Sequence, residues 1–123
     1  ELILDELRVL PVLALNLPSP RSPELLTVCE RIHGQLHEAW SLPRVADLIG
    51  VSDRTVSRHF QRETGLTFAE WLRRKRLLEG LEALAAGHSV VDVALAVGYE
   101  SQSAFSAMFR SRLGVSPKEY LGR

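Results

Sequence analysis

The sequence holds a single cysteine, Cys29, in 123 residues. A lone thiol excludes a disulfide framework and a cysteine-rich zinc site. On the apolar stripe of a helix it reads as a small buried residue. Long apolar runs are missing too, and nothing approaches the ~18 consecutive apolar residues of a membrane span. The start, ELILDELRVL, is acidic and lacks the basic segment that opens a secretory signal. Strand-like alternation does not persist anywhere. Apolar residues recur instead at spacings of three and four, so the class is all-α. With 46% hydrophobic residues there is enough for one compact domain, or two very small ones on a common axis. No Ser/His/Asp set, carboxylate pair or glycine-rich phosphate loop stands out, and His59 and His88 have no evident partners. An enzyme is not expected. His33 and His37 are four apart, a spacing that suits a metal, but no third ligand accompanies them and they read as a solvated or partly buried pair. No metal or cofactor is expected.

An excess of one charge is also lacking, since the formal net charge is zero. Its distribution is uneven. Residues 52–76 hold seven cations and three acids, residues 77–100 hold four acids and no Lys or Arg, and residues 101–123 hold four cations and one acid. A fold that gathers the basic blocks on one face would offer a surface to nucleic acid, although charge alone favours an ordinary solvated surface.

Along the chain, LNLPSPRSP at 15–23 reads as a linker, and the short apolar segment before it as the tail of something upstream. The spacing predicts a helix from Ser22, with Pro23 at its first position and Leu25, Val28, Ile32 and Leu36 as its buried stripe. A longer helix is expected from Thr67, with Glu70 completing a capping box, through Trp71, Leu72, Leu77, Leu78, Leu81 and Leu84 to Gly87. SVVD at 89–92 and SPKE at 116–119 repeat the box spacing at later helix starts.

The chain also repeats itself. Ser41, Val45, Ala46 and Gly50 match Ser89, Val93, Ala94 and Gly98 at an offset of 48. One residue is then added in the turn. Ser52, Val56, Phe60, Gly65, Trp71 and Leu72 match Ser101, Phe105, Phe109, Gly114, Tyr120 and Leu121 at an offset of 49. Each copy reads helix, short glycine turn, helix. One helix-turn-helix match is weak evidence, whereas two in register are much stronger.

Placed at about 100° per residue, the second helix of each copy has two faces. In the first copy Val56 and Phe60 point inward, and Arg54, Arg58 and Gln61 point the opposite way, flanked by Thr55, Ser57 and Arg62. In the second, Phe105 and Phe109 point inward. Ser103, Ala107 and Arg110 point outward beside Ala104 and Ser106, with Gln102 near the N-terminal end. Such faces suit a DNA major groove, where Arg, Gln, Ser and Thr read base edges and small residues permit close approach. A solvated face would mix Glu with Lys, and these do not. The expected base contacts are Arg54, Thr55, Ser57, Arg58, Gln102, Ser103, Ser106 and Ala107. Phosphate contacts are expected from Gln61, Arg62, Arg73, Arg76, Arg110, Arg112 and Lys118. Four consecutive cations, RRKR at 73–76, go around a helix, so not all of them face one partner.

These residues resemble the AraC/XylS family of bacterial transcription regulators. GYESQSAFSAMFRSRLGVSPKEY is similar to the family signature, through Gly98, Tyr99, Ser101, Phe105, Phe109, Gly114, Pro117 and Tyr120. VADLIGVSDRTVSRHFQRETG at 45–65 is similar to its first motif. The resemblance covers about residues 24–121. It implies about seven helices, in two helix-turn-helix subdomains at about 41–65 and 89–114, joined by a linking helix at about 67–86. It also implies double-stranded DNA and RNA polymerase as partners, a cytoplasmic place in bacteria with the nucleoid, and no membrane. Residues 1–21 would then be the linker from an upstream sensor domain that carries the effector site and the homodimer contacts, and residues 22–123 the DNA-binding domain. By match to base-contacting positions, Arg54, Ser57 and Arg58 carry over from the first reader and Gln102, Ser103, Ser106 and Ala107 from the second. The second reader has Ser103 and Ala107 where the first has Arg54 and Arg58, so the first is expected to dominate base specificity. A helical protein-interaction module with no DNA contact remains the alternative.

Overall fold

A computed structural model describes residues 16–122. The apolar segment at 2–15, and most of the stretch read as an upstream linker, lie outside the described residues. Among the described residues there are seven helices and no strand: α1 (Pro23–Gly34), α2 (Leu42–Ile49), α3 (Asp53–Thr64), α4 (Phe68–Ala85), α5 (Val90–Ala96), α6 (Gln102–Leu113) and α7 (Pro117–Leu121). They form two compact units, one spanning Leu17–Arg73 and one from Arg74 onward with Asn16 joined to it. The 18-residue α4 runs through the boundary.

Each unit is built by the same local devices. Ser41, Ser52, Ser89 and Ser101 stand in extended conformation before their helices, and each side-chain oxygen accepts the amide three residues on. That bond satisfies one of the four amides a helix start leaves open. Thr67 does the same for Glu70 at 3.1 Å. Ser116 and Glu119 form the complete reciprocal box. Both helix-turn-helix turns need a left-handed residue, and Gly50 (φ 84°) and Gly98 (φ 98°) supply it. The amide after each glycine bonds back five residues, Val51 to the Ala46 carbonyl at 3.1 Å and Tyr99 to the Ala94 carbonyl at 2.9 Å.

The cores follow the repeat. Val45, Ala46, Val56 and Phe60 are buried in the first unit, and Val93, Ala94, Phe105 and Phe109 in the second. Phe60 meets the Trp71 ring edge-on at 5.6 Å, and Phe109 meets Tyr120 edge-on at 5.7 Å, the same contact one repeat later. The symmetry ends there. Trp71 and Leu72 are 3% and 7% exposed, whereas Tyr120 and Leu121 are both 47% exposed. The α4 helix runs for 18 residues and α7 for five.

In α1, Leu25, Val28 and Ile32 are buried as the stripe predicts. Leu36 is buried beyond the helix, which stops at Gly34. Cys29 is half-buried, not the fully buried residue its stripe suggested. Trp40 closes the α1–α2 connection, donating its indole N–H to the Gln35 carbonyl at 2.9 Å. The Arg44 guanidinium lies 3.7 Å from the Trp40 ring centroid and bonds Glu38 at 2.7 Å. In α4, Leu77 and Leu84 are buried, and Leu78 and Leu81 only partly so. Gly80 lies in the middle of α4 with the Phe105 ring against it, and a Cβ there would stand 3.0 Å from two ring carbons.

Candidate nucleic-acid interface

Burial of Val56 and Phe60 fixes which side of α3 faces away from its core. Arg54, Arg58, Gln61 and Arg62 are all exposed on that side, and Ser57 is half-buried beside them. Arg54, Arg58 and Arg62 make no hydrogen bond or ion pair to any described residue. Three guanidiniums on one helix are therefore uncommitted among the described residues, each with five donors in a rigid fork. Thr55 flanks that face. It is half-buried and lines an apolar groove of about 380 Å³ with Leu25, Ile49, Val51, Val56 and His59. Its hydroxyl accepts from Ser52 Oγ at 2.9 Å. The turn from Ser52 to Thr55 thus holds Thr55 on the flank toward α1.

On α6, Phe105 and Phe109 are turned inward. Ser103, Ala104, Ala107 and Arg110 are exposed, and Gln102 and Ser106 half-buried. This face is nearly uncharged at its N-terminal half. Its outward cation, Arg110, lies 3.4 Å from Glu119 of α7. Arg112 is half-buried, and Lys118 is exposed in the last turn of α7. Arg62, Arg110 and Arg112 sit in the last turns of their helices, where a cation also complements the helix dipole.

The four cations of RRKR have four different surroundings. Arg73 is exposed and 3.9 Å from Glu70. Arg74 donates to the Asn16 carbonyl at 2.9 Å. Lys75 is buried and bonds Glu79 at 2.9 Å. Arg76, expected on the surface for phosphate, is half-buried with its guanidinium 5.8 Å from the Tyr99 ring centroid. Burial lowers its pKa from the usual value, and Tyr99 acts in the opposite sense. Helical rotation separates neighbours in a charge run, and here it sends most of the run into intramolecular contacts.

One residue has a role that the sequence did not suggest. Glu63, near the end of α3, accepts the backbone amides of Arg21 and Ser22 on one carboxylate oxygen, each at 2.7 Å. Ser22 stands before α1 but makes no side-chain cap bond. The Ser22 amide bond, followed by that of Arg21 and the Ser22 hydroxyl, holds the Glu63 carboxyl below its usual range, with His59 adding to the effect and burial opposing it. No sequence spacing signals a pairing of residues 41 and 42 apart.

Among the described residues no group of His, Cys, Asp and Glu is placed to hold a metal ion, and no helix is long and apolar enough to cross a membrane.

A helix-turn-helix domain family matches residues 45–123. The chain is 33% identical over its whole length to the HTH-type transcriptional regulator NimR of Escherichia coli, covering 45% of that protein. It is 32% identical to the HTH-type transcriptional activator AarP of Providencia stuartii, over 72% of this chain and 67% of AarP. The chain thus spans less than half of NimR and about two thirds of AarP. Among solved structures, the DNA-binding domain of AdpA in complex with a target DNA superposes with a TM-score of 0.74 at 33% identity, over 80% of this chain and 90% of that one. The C-terminal domain of AraT, a response regulator from Geobacillus stearothermophilus, gives 0.74 at 30% identity over 80% and 84%. With the duplicated helix-turn-helix and these relatives in hand, the chain belongs to the AraC/XylS family of DNA-binding transcription regulators and carries that family's DNA-binding domain.

Proposed function

We propose that α3 and α6 are the two reading helices, entering successive major grooves of one duplex, and that α3 sets most of the base specificity. The observation that carries this reading is the contrast between the two outer faces. α3 presents Arg54, Arg58 and Arg62 with no partner among the described residues, and α6 presents Ser103 and Ala107 at the positions of the first two. An unpaired guanidinium reads guanine through two hydrogen bonds, while a small side chain gives close approach with little readout. Ser57 supplements the arginines on α3. Gln102, Ser103, Ser106 and Ala107 make the lesser base contacts of α6. Gln61, Arg62, Arg73, Arg110, Arg112 and Lys118 go to phosphate, giving affinity and salt dependence without sequence information. Thr55 and Arg76 take a lesser part, because their own unit already holds them.

AdpA, whose DNA-binding domain has this fold, is seen on a target DNA, and NimR and AarP are named as a transcriptional regulator and an activator; these support a promoter-bound regulator in bacteria. In this reading the protein is a binding protein and not an enzyme, acts with RNA polymerase on the bacterial nucleoid, and pairs with a second copy through an upstream domain. The test is selection of duplexes from a random pool at ~100 mM salt. Two enriched blocks about one helical turn apart support two readers. No enriched sequence, with no duplex bound, refutes the reading in favour of a protein-interaction module.

A further inference from the structure

We propose that Glu63 is a positioning residue for α3, acting through a strap formed by residues 17–22; the consequence for DNA rests on the reading of α3 given above. The strap is pinned at two places by side chains on either side of the Gly65 turn. At its start the Pro18 carbonyl accepts the indole N–H of Trp71, in the first turn of α4, at 3.0 Å. At its end Glu63 takes the Arg21 and Ser22 amides at 2.7 Å each. Pro20, between the two, is buried. Prolines at 18, 20 and 23 fix their backbone φ, which reduces the entropy lost on ordering the strap. The segment that reads as a linker is tied to the far end of the reading helix.

The geometry makes this a control on reading. Val56 and Phe60 seat α3 in its core from one side. The C-terminal end of the helix is additionally fixed by Glu63, next to Arg62. A 12-residue helix is about 18 Å long, so a tilt of about 10° around its middle moves its ends by roughly 1.5 Å. At Arg54, near the start of the helix, a shift of about that size breaks a two-bond contact to a base, whose donor-acceptor distances tolerate only a few tenths of an ångström, whereas Arg58, near the pivot, moves little.

The test uses this chain with Glu63→Ala, Glu63→Gln and Trp71→Phe. Its readouts are exchange of the Arg21 and Ser22 amides, exchange of the Trp71 indole N–H, and DNA selection with binding isotherms. Glu63→Ala is expected to speed exchange of both amides on the order of tenfold or more, and to speed the Trp71 indole N–H as well. Trp71→Phe, which keeps a ring in the core, is expected to speed the same amides. In DNA selection Glu63→Ala relaxes the block read by α3, with affinity down roughly five- to tenfold, and leaves the α6 block intact. Glu63→Gln, which keeps an acceptor oxygen, restores most of both effects. Unchanged indole exchange in Glu63→Ala would show two separate contacts and overturn the strap. Equal weakening of both DNA blocks would overturn the positioning role in favour of plain loss of fold stability. A wild type that selects no sequence overturns the reading of α3, and the positioning role with it, while the exchange measurements still decide the strap.

Discussion

Replacement of Arg58 by Ala separates reading from folding. Arg58 is exposed in the middle of α3 and makes no hydrogen bond or ion pair to a described residue. No hydrogen bond or ion pair among the described residues is lost with it, so the change in unfolding free energy should stay within about 0.5 kcal/mol, as for ordinary surface sites. All of the effect should therefore appear in binding. A bidentate arginine-base contact is worth about 1–3 kcal/mol of discrimination, which corresponds to roughly 5- to 150-fold in Kd for the selected site. The loss should be confined to one base pair of the selected sequence, with nonspecific affinity much less affected. Arg62→Ala is the control: as a phosphate contact it should weaken all sequences alike and lower the slope of log K against log salt by about 0.9. Fluorescence anisotropy on selected and scrambled duplexes at several salt concentrations measures both, with denaturant melts beside it. If Arg58→Ala keeps the sequence preference while Ser103→Ala or Gln102→Ala abolishes it, the assignment of specificity to α3 is wrong. If the melts shift by more than 1 kcal/mol, Arg58 has a structural role that its exposed position does not suggest.

Four further outcomes follow from the packing and the electrostatics. Phe60→Ala removes a ring that meets both Phe68 and Trp71 edge-on at about 5.5 Å and should cost about 3–5 kcal/mol, read from urea unfolding followed by tryptophan fluorescence. Gly50→Ala meets no atom within 4 Å but must hold φ at 84°, so the loss should be purely conformational, about 1–2 kcal/mol by the same assay. Gly80→Leu drives a side chain into the Phe105 ring, already 3.0 Å from a Cβ at that site, and should shift the chemical shifts of the α6 core while those of Val56 and Phe60 stay put. Finally, the carboxyls of Glu38, through its Arg44 hydrogen bond, and Glu63, through the Ser22 amide, lie below their usual range when folded. Their contribution is complete above the ordinary carboxylate pKa and is lost as pH falls through the lowered folded values, so urea midpoints should drop on acidification and Glu63→Gln should flatten that acid limb.

The sequence by itself determined the elements and the duplication. Ser41, Ser52, Ser89 and Ser101 cap helices, Gly50 and Gly98 turn left-handed, and Val56, Phe60, Phe105 and Phe109 repeat at helical spacing. These signals are legible because caps, turns and periodic burial act over a few residues and depend on local geometry alone. The two outward faces follow from the same periodicity, which is why Arg54, Arg58, Ser103 and Ala107 stand where their spacing puts them. Tertiary structure decided how the polar groups are shared. Glu63 reaches amides 41 and 42 residues away, Trp71 holds the Pro18 carbonyl, and Thr55 turns to the groove beside α1. Of the run at 73–76, Arg74, Lys75 and Arg76 are each held within their own unit. A charge run states how many guanidiniums and ammoniums exist, but which of them stay free depends on the carboxylates, carbonyls and rings that distant segments bring beside them. Apolar burial repeats wherever the pattern repeats, whereas a hydrogen bond needs one particular partner within about 3 Å, and only the folded chain supplies it.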